Sequence, residues 1–414
     1  VIEILRKLMK LIINSITMII HFYINSSFPF GMAAAKRQLC YAKGLMAQGH
    51  IVDVVICQKC FDPNDDDGQP TKGEYQGIKY IYVCGKFKHS KKNKLMRGID
   101  YLILDYIRSF FYAFRHIHRE DFVFAYYYPI FLQILILIAV KLKKAKIVKE
   151  TCEHPSALGK VNSKWHKFCK WFEYHFIMPN YNGFIAISRE LEKFVLKYKG
   201  RRAKCIIVPI LVEKQENCYP ICEKNEYDVP YIIHTGTMLE QKDSISKILH
   251  AFARFKKEYV SNCRLVFTGP QANEKCKYLP MIRELGIENS VDLLGMISTK
   301  RVIQLQRHAT MTIIYKSDNL QTRNCFPTKL GELLICGIPV ITTTVGDANF
   351  YLKNAQSAFI IEPDDEDTLV DYIKFIINNP NRAKEIGMAG KTIAQKHFDP
   401  LYQGKRLSEF YKSL

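Results

Sequence analysis

The sequence has no uninterrupted apolar run long enough to cross a membrane, since a helical span needs about 20 such residues. The two best candidates are residues 8–24 and 129–140. Lys10, Asn14 and His21 interrupt the first, and the second is too short and is followed by lysines. We therefore interpret both as buried elements of the fold.

A disulfide framework is not expected either, because the 13 cysteines are scattered and odd in number. Only one CxxC pair, Cys57 and Cys60, is present, whereas a structural zinc site needs a second pair of ligands. We interpret the pair as thiols at a strand end in a reducing cytoplasm, with metal or redox chemistry as the alternative. The predicted location is therefore cytoplasmic.

Acidic residues are scarce beside basic ones, with 40 Asp and Glu against 60 Lys and Arg and a net charge of +20. The imbalance lies in residues 1–225, where 36 basic residues face 19 acidic ones, while residues 226–414 have a net charge of only +3. Such a basic half favours anionic partners: a phospholipid surface, a phosphate-bearing acceptor or nucleic acid. Hydrophobic content of 48% excludes a disordered chain.

Apolar runs typical of strands alternate with helical periodicity along both halves of the chain. A strand at 16–24, a helix at 33–47 and a strand at 51–57 form a βαβ unit, and the acidic, turn-rich stretch 62–77 is predicted to be a loop. Further strands are predicted at 122–128, 146–150, 231–234, 264–268, 291–294, 311–315 and 340–344. This alternation predicts an α/β fold with parallel sheets and helices on both faces.

Two doubly wound, Rossmann-like domains facing each other across a cleft are the predicted architecture, because 414 residues exceed one ordinary core. The polar stretch 213–228 is the predicted linker, which gives domains at 1–225 and 226–398. Residues 399–414 are predicted to form a helix that packs back on the first domain. Ligands in this fold class bind beyond the carboxyl ends of the strands.

The segment FPTKLGELLICGIPVI, residues 326–341, runs from a loop into a helix and then into a strand. Pro327 suits the first helical turn, and Thr328 can help to cap its free amides. Those amides, next to Lys329, are suited to a diphosphate, and Glu332 offers two oxygens to the hydroxyls of a ribose. An ordinary βαβ turn with surface charges is the alternative.

This segment is one of a series that runs through the chain in a fixed order. The others are FPFGMAAAKRQLCYAKGL at 28–45, IAISRELEKF at 185–194, IIVPILVE at 206–213, HTGTMLEQKD at 234–243, FTGP at 267–270, VDLLG at 291–295 and PDDEDTLVDYIKFII at 363–377. Together they resemble the retaining nucleotide-sugar glycosyltransferases of the GT-B architecture, family 4. Each motif is weak alone, but their order covers nearly the whole chain.

The resemblance implies that the donor loop contributes Gly236, Thr237 and Lys242. Lys242 matches the lysine that binds the donor diphosphate in the family, where a compact cation stabilises the leaving group. Thr237 stands where the family often has an arginine, and Lys329 is then the second cation at the diphosphate.

The same resemblance implies that the second sugar-nucleotide segment contributes Phe326, Pro327, Thr328, Lys329 and Glu332. Glu332 matches the second of the family's paired glutamates, the one that binds the ribose. Asn324 occupies the position of the first glutamate. An asparagine there can hydrogen-bond sugar hydroxyls but offers no carboxylate to a developing oxocarbenium ion.

The early loop and the loop at 150–155 provide candidates on the acceptor side. Gly31 allows the backbone to pass close to the donor. Arg37 matches a frequent arginine of the family, with a solvated helix charge as the alternative. Glu153 or His154 is suited to orient an acceptor hydroxyl, with an ordinary polar loop residue as the alternative.

The implied reaction moves a hexose from a nucleoside diphosphate sugar to an acceptor hydroxyl with retention, in polysaccharide or glycolipid assembly. Lys242, His154 and Asn324 are the implied catalytic residues. No metal or other cofactor is expected, because cationic side chains and helix amides replace a divalent ion at the diphosphate. The implied acceptor is a saccharide or is linked to a lipid.

Four alternatives concern function and location. Thr237 and Asn324 favour a sugar-nucleotide-binding protein without turnover, and some epimerases share this architecture. Nucleic-acid binding fits the charge, but no recognition motif accompanies it. The basic run at 86–97 and the aromatic helices around 110–114 and 165–176 are suited to contact with the inner face of a membrane, with a solvated face packed on the core as the alternative.

Overall fold

A computed structural model describes residues 17–31, 33–58, 70–85, 104–127, 129–154, 163–213 and 225–414. The basic run at 86–97, Cys60 and most of the predicted linker lie outside these residues. The described chain forms two compact units. The first contains the residues up to Ile187, Leu191–Val208 and Pro400–Leu414, and the second contains Ser188–Glu190 and Pro209–Asp399.

The first unit is built on an eight-stranded sheet with the strand order β3-β4-β2-β1-β5-β6-β7-β8, parallel except where β3 pairs with β4. The strands are β1 (Ile19–Ile24), β2 (Ile51–Ile56), β3 (Lys72–Tyr75), β4 (Ile78–Tyr82), β5 (Phe122–Tyr126), β6 (Lys146–Thr151), β7 (Gly183–Ala186) and β8 (Lys204–Ile207). The helices are α1 (Ala33–Met46), α2 (Asp105–His116), α3 (Ile130–Leu142), α4 (Lys164–Phe172) and α5 (Arg189–Tyr198). A π-helical turn (Glu173–Ile177) and a 3₁₀ turn (Met178–Asn180) follow α4.

The apolar runs of the first half could be recognised as strands because such strands are buried, and the central strand β1 is an example. It pairs with β2 on one side and β5 on the other, and its residues Ile20, Phe22 and Ile24 are fully buried. A parallel strand covered on both faces reads as a nearly continuous apolar run. The predicted α/β class with parallel sheets is therefore confirmed for this unit.

The loop predicted at 62–77 is wrong at its end, because Lys72–Tyr75 pairs with β4 as an antiparallel edge strand. Gln76 and Gly77 connect the two strands with φ of 51° and 81°. Left-handed conformations at both central residues are typical of a tight hairpin. Four other short strands were not predicted from the sequence: Ile78–Tyr82, Gly183–Ala186, Lys204–Ile207 and Phe359–Ile361.

The last helix, α15 (Pro400–Ser413), packs within the first unit against α1. The two helices cross so closely that a methyl group on Gly404 would lie 2.2 Å from the carbonyl oxygen of Gly44. His50 and Ser408 are joined by a 2.7 Å hydrogen bond on the same side. The first unit therefore uses residues from both ends of the described chain.

His21 lies buried in the centre of the first sheet between two carboxylates. Its Nδ1 is 2.8 Å from Asp53 Oδ1, and its Nε2 is 3.2 Å from Asp121 Oδ2. Burial disfavours the imidazolium, but hydrogen bonds and charge attraction from Asp53 and Asp121 outweigh it, so the pKa of His21 is raised above 6.5. Protonated His21 therefore stabilises the folded unit.

We expect this contribution to be fully present below about pH 6.5 and to disappear as the pH rises through the folded-state pKa of His21. Chemical denaturation of the wild type and of His21→Gln at pH 6 and pH 8 measures it. The free energy of unfolding should differ more between the two proteins at pH 6 than at pH 8. An equal difference at both values would show that the His21 charge does not stabilise the unit.

The second unit has a six-stranded, fully parallel sheet with the order β11-β10-β9-β12-β13-β14. The strands are β9 (Tyr231–Thr235), β10 (Arg264–Thr268), β11 (Val291–Leu293), β12 (Met311–Ile314), β13 (Val340–Thr343) and β14 (Phe359–Ile361). The helices are α6 (Glu240–Asp243), α7 (Ile245–Glu258), α8 (Leu279–Glu284), α9 (Thr299–His308), α10 (Leu320–Asn324), α11 (Thr328–Leu334), α12 (Ala348–Tyr351), α13 (Glu366–Asn378) and α14 (Pro380–His397). Two Rossmann-like parallel sheets are thus present, as the sequence predicted.

The division between the units falls after Val208, whereas the sequence placed it at 225/226. Residues 214–224 of the predicted linker lie outside the described chain. The apolar stretch at 129–140 forms helix α3, which is buried on one side only. Among the described residues, no helix combines the length and the apolar character that crossing a membrane requires.

Candidate functional site

The loop after the central strand β9 is shaped by two glycines at the carboxyl end of the second sheet. Gly236 and Gly269 follow the paired strands β9 and β10 and have φ of 123° and 143°. A methyl group on Gly269 would lie only 1.9 Å from the carbonyl oxygen of Gly236. The two turns therefore pack backbone against backbone, at the edge of the sheet where ligands bind in this fold class.

The short helix α6, which contains Lys242, is fixed to the segment that follows β12. Asp243 pairs with Lys316 at 2.6 Å, and the two side chains are only 14% and 12% exposed. Asn319 Nδ2 also donates to the Gln241 carbonyl at 3.0 Å. Because these contacts lie on both sides of Lys242, they set the position of its backbone.

His234 and Thr237 complete the cluster around Asp243. Thr237 Oγ1 donates to Asp243 Oδ2 at 3.5 Å, so its hydroxyl is turned towards a neighbouring carboxylate. Burial lowers the pKa of His234, and the nearby Lys316 lowers it further, against an opposing effect of Asp243. His234 is therefore neutral at physiological pH, and the charges of the cluster are those of Lys316 and Asp243.

We expect Asp243→Asn to destabilise the second unit by about 1–3 kcal/mol, because it leaves the Lys316 ammonium group poorly compensated in a nearly buried place. Chemical denaturation checks this value. Asp364→Asn is the matched control, since Asp364 pairs with Lys247 on the exposed surface and should cost less than about 1 kcal/mol. Equal losses in the two variants would contradict a special role of the Asp243–Lys316 pair.

The second sugar-nucleotide segment predicted from the sequence meets the Gly236 turn. A methyl group on Gly236 would lie 3.6 Å from Cε of Lys329, and Lys329 Nζ lies 2.8 Å from Glu332 Oε2. Both side chains are partly exposed. The structure therefore brings the two predicted donor segments together at one edge of the second sheet.

The start of helix α11 differs from the prediction in two details. Pro327 is the N-cap rather than a residue of the first turn, with φ of −61° and ψ of 106°. Thr328 is the first helical residue, and no side chain caps the helix start. The predicted capping by Thr328 is thus wrong. Thr328 is itself the first residue of the helix, whereas a capping residue precedes it.

Phe326 and Asn324 are more buried than a ligand-contacting role requires. The Phe326 ring packs against Tyr351 and Phe398 at centroid distances of 5.6 and 5.5 Å. Asn324 Nδ2 donates to the Leu320 carbonyl at 2.8 Å, within helix α10. Both side chains support the segment from inside, so their contact with a sugar stays a prediction.

In the first unit, Gly31 lies in the loop between β1 and α1, as predicted. A methyl group there would lie 3.0 Å from the Ala35 Cβ and 3.2 Å from the Ser27 carbonyl oxygen. Earlier in the same loop, Phe28 and Pro29 are joined by a cis peptide bond. The absence of a side chain at Gly31 therefore keeps the loop close to the start of the helix.

Arg37 is a buried residue of α1 and not a solvated helix charge. Its Nε donates to Glu150 Oε1 at 2.5 Å, and its Nη2 donates to the Val208 carbonyl at 2.7 Å. Tyr41 donates to the same Glu150 oxygen at 2.8 Å. The guanidinium is buried in this network and ties α1 to β6, so the solvated-charge alternative is wrong, while the acceptor-side role of Arg37 stays a prediction.

Glu153 and His154 follow β6 at the carboxyl end of the first sheet, and both are partly exposed. The His154 ring packs against Phe194 at a centroid distance of 4.7 Å. Burial lowers the pKa of His154, and the nearby charge of Lys170 lowers it further. A neutral imidazole in this position is able to accept a proton.

Metal-binding clusters are absent from the described residues, where no three His, Cys, Asp or Glu side chains come together as ligands. Cys57 is buried at the end of β2, and its partner in the CxxC motif lies outside the described chain. A role of Cys57 in the core is consistent with its burial. Metal-free chemistry at the donor site stays a proposal.

Lys316, Asp243 and His234 belong to the site but were not singled out from the sequence. They lie in a strand, a short helix and a loop that only the folded sheet brings together. For His234 and Lys316 the available signal was their position at the end of, or shortly after, a parallel strand, since such positions converge on one edge.

Comparison with known proteins gives a family match for the second half of the chain. The sequence model of a family described as "Glycosyl transferases group 1" matches residues 223–393. A curated relative, N-acetyl-alpha-D-glucosaminyl L-malate synthase of Bacillus anthracis, is 23% identical over 179 residues. That alignment covers 42% of this chain and 44% of the relative, so it spans less than half of either protein.

Two solved structures resemble the chain over most of its length. Sucrose-phosphate synthase from Thermosynechococcus elongatus has a TM-score of 0.69 and 16% identity, covering 95% of this chain and 98% of its own. Anabaena HepE in complex with UDP-glucose has a TM-score of 0.66 and 15% identity, covering 96% and 100%. At these identities the likeness shows the shared fold, which is that of GT-B proteins.

Proposed function

We propose that this chain, whose residues 223–393 match the sequence model of the group 1 glycosyl transferases, transfers a hexose from a nucleoside diphosphate sugar to an acceptor hydroxyl. The observation that carries the proposal is the meeting of the Gly236 turn with Lys329 and Glu332. A glycine turn, a cation and a carboxylate at the carboxyl edge of a parallel sheet are suited to a sugar nucleotide. The structure of HepE with UDP-glucose makes this donor the first to test.

In the proposed donor complex, Lys242 and Lys329 face the diphosphate and Glu332 accepts hydrogen bonds from the ribose hydroxyls. Lys329 now pairs with Glu332 at 2.8 Å, so the donor would exchange this ion pair for contacts of both residues with the nucleotide. Both side chains are partly exposed, which keeps the exchange inexpensive in solvation terms. Lysines near the diphosphate stabilise the charge that develops on the leaving group.

We propose that the anomeric configuration is retained and that the leaving phosphate takes the proton of the acceptor hydroxyl. No protein nucleophile is then needed, and the site supplies position and charge stabilisation. His154, neutral because its pKa is lowered, is the proposed residue that orients the acceptor. The proposed acceptor is a saccharide or a lipid-linked sugar at an anionic membrane surface, in polysaccharide or glycolipid assembly.

A thermal-shift and hydrolysis screen of the purified protein against common nucleoside diphosphate sugars tests the function. We expect one donor to raise the melting temperature and to be turned over, with product anomer assigned by NMR. Glu332→Ala should abolish the shift, while Glu385→Ala, which removes an exposed helix carboxylate, should leave it unchanged. If no donor stabilises the protein, the proposal fails.

The same screen separates the alternative functions. Stabilisation without turnover, even with a glycolipid extract as acceptor, would indicate a sugar-nucleotide-binding protein, which Thr237 and Asn324 favour. Interconversion of the donor sugar without an acceptor would indicate an epimerase. Turnover that a chelator abolishes would contradict the proposed metal-free mechanism.

A further inference from the structure

Helix α4 and the π-helical turn after it carry a row of exposed aromatic rings. We call this row the aromatic face, and its members are Trp165 (68% exposed), Phe168 (49%), Trp171 (48%) and Phe176 (51%). Successive ring centroids are 5.7, 5.9 and 5.4 Å apart. The rings therefore form one continuous apolar strip on the surface of the first unit instead of isolated exposed side chains.

The charges on the same helix have one sign. Within α4, every exposed residue other than the aromatic ones is a lysine, namely Lys164 or Lys167. No acidic residue occurs in the helix. The exposed surface of α4 thus combines large rings with positive charges, in the half of the chain that has a net charge of +17.

The opposite side of this element is held by the core of the first unit. Glu173, the first residue of the π-helical turn, pairs with Lys149 at 2.6 Å, and both side chains are largely buried. Phe172 and Tyr174 pack against the apolar core, and the Tyr174 ring lies 5.2 Å from that of Phe194. The aromatic face is therefore presented by a fixed helix, and the acidic residue of the π-helical turn, Glu173, is directed to Lys149 in the interior.

We propose that the aromatic face docks on an anionic phospholipid bilayer, with its rings at the boundary between headgroups and acyl chains and Lys164 and Lys167 near lipid phosphates. Tryptophan and lysine side chains are characteristic of helices that lie in this boundary. A protein partner on the aromatic face would remove water from the two lysines, whereas the phosphates of an anionic lipid surface neutralise their charge. This inference deepens the membrane placement in the proposed function, but docking itself requires no sugar donor.

The chain offers a direct probe, because Trp165 and Trp171 are its only tryptophans. We expect the fluorescence maximum of the full chain to shift to shorter wavelength with vesicles containing phosphatidylglycerol. Brominated acyl chains should quench the emission. Vesicles of phosphatidylcholine alone should give a much smaller change, and added salt should reverse part of the binding.

Two sets of substitutions separate the contributions in vesicle co-sedimentation. Lys164→Gln with Lys167→Gln should weaken binding to anionic vesicles by about thirtyfold. Trp165→Ser with Phe168→Ser should weaken it by at least about tenfold and leave Trp171 as the reporter. The matched control is Val260→Gln with Met388→Gln, two exposed apolar residues of the second unit, which should bind like the wild type.

The proposal is overturned if the chain does not bind anionic vesicles or if binding survives both sets of substitutions. It is also overturned if the fluorescence shift depends on protein concentration without lipid, which would indicate that a second copy covers the face. Thermal melts of the variants show whether they are folded. Hydrolysis of the donor without vesicles is measured in parallel, so a failure of docking and a failure of sugar transfer give different results.

Discussion

Replacing Lys242 with alanine is expected to lower kcat/KM for sugar transfer by about 10²–10³-fold, the range found when one charge-stabilising group is removed from an active site. The ammonium group is proposed to face the diphosphate as negative charge develops on it. The Asp243–Lys316 pair and the Asn319 contact fix helix α6. We therefore expect no neighbouring lysine to move to the place of the missing Lys242 ammonium group. Initial rates at varied donor concentration measure the loss.

Lys257→Ala is the matched control for this experiment. Lys257 lies in the last turn of helix α7 and is exposed, so its removal changes the net charge of the unit equally without touching the donor loop. We expect kcat/KM to stay within about twofold of the wild type, as surface charges have small effects. Equal losses in the two variants would show a general charge effect and would contradict the proposed donor position.

Gly269→Ala is expected to have the largest effect on stability, about 3–5 kcal/mol, or to prevent the second unit from folding. The added methyl group would lie 1.9 Å from the Gly236 carbonyl oxygen, and the backbone at φ of 143° is unfavourable for any side chain. Backbone cannot rotate away as a flexible side chain would. Chemical denaturation, followed by probes for each unit, measures the change, because two units need not unfold together.

Gly286→Ala separates the clash from the backbone conformation. Gly286 also has a positive φ, 67°, but nothing lies within 4 Å of an added methyl group. We expect this variant to lose only about 1–2 kcal/mol, the cost of a left-handed alanine. If both variants lost the same free energy, the close packing of the two glycine turns would not contribute to the fold.

The architecture was predictable because buried parallel strands are apolar over their whole length. Arg264–Thr268 was predicted with its bounds, and the other predicted strands differ from the observed ones by a few residues at the ends. The edge strand Lys72–Tyr75 was not predicted, since its polar residues face solvent and show no apolar pattern. The only sequence feature that indicated this strand was the turn at Gln76 and Gly77. Such a turn indicates a hairpin only when a strand is recognised on each side of it.

The residues of the candidate site could be predicted where they belong to one sequence motif. They could not be predicted where residues far apart in the sequence come together in the fold. Lys329 and Glu332 lie one turn apart, so their proximity follows from helical spacing. Arg37 and Glu150 are 113 positions apart, and nothing in either neighbourhood indicates that they are buried together. The pairing of Asp243 with Lys316 likewise depends on the order of strands in the second sheet.

The return of the chain to the first unit at Pro400 has a consequence for biosynthesis. Helix α15 packs on α1, yet it is translated after the whole stretch from Pro209 to Asp399. At about 5–20 residues per second, a ribosome needs roughly 10–40 s for that stretch. By the end of this time the second unit has all of its strands, β9 to β14, while α1 still lacks its partner. We therefore expect the unit that begins first to be completed last, and a nascent chain stalled before residue 400 to expose the α1 surface to chaperones.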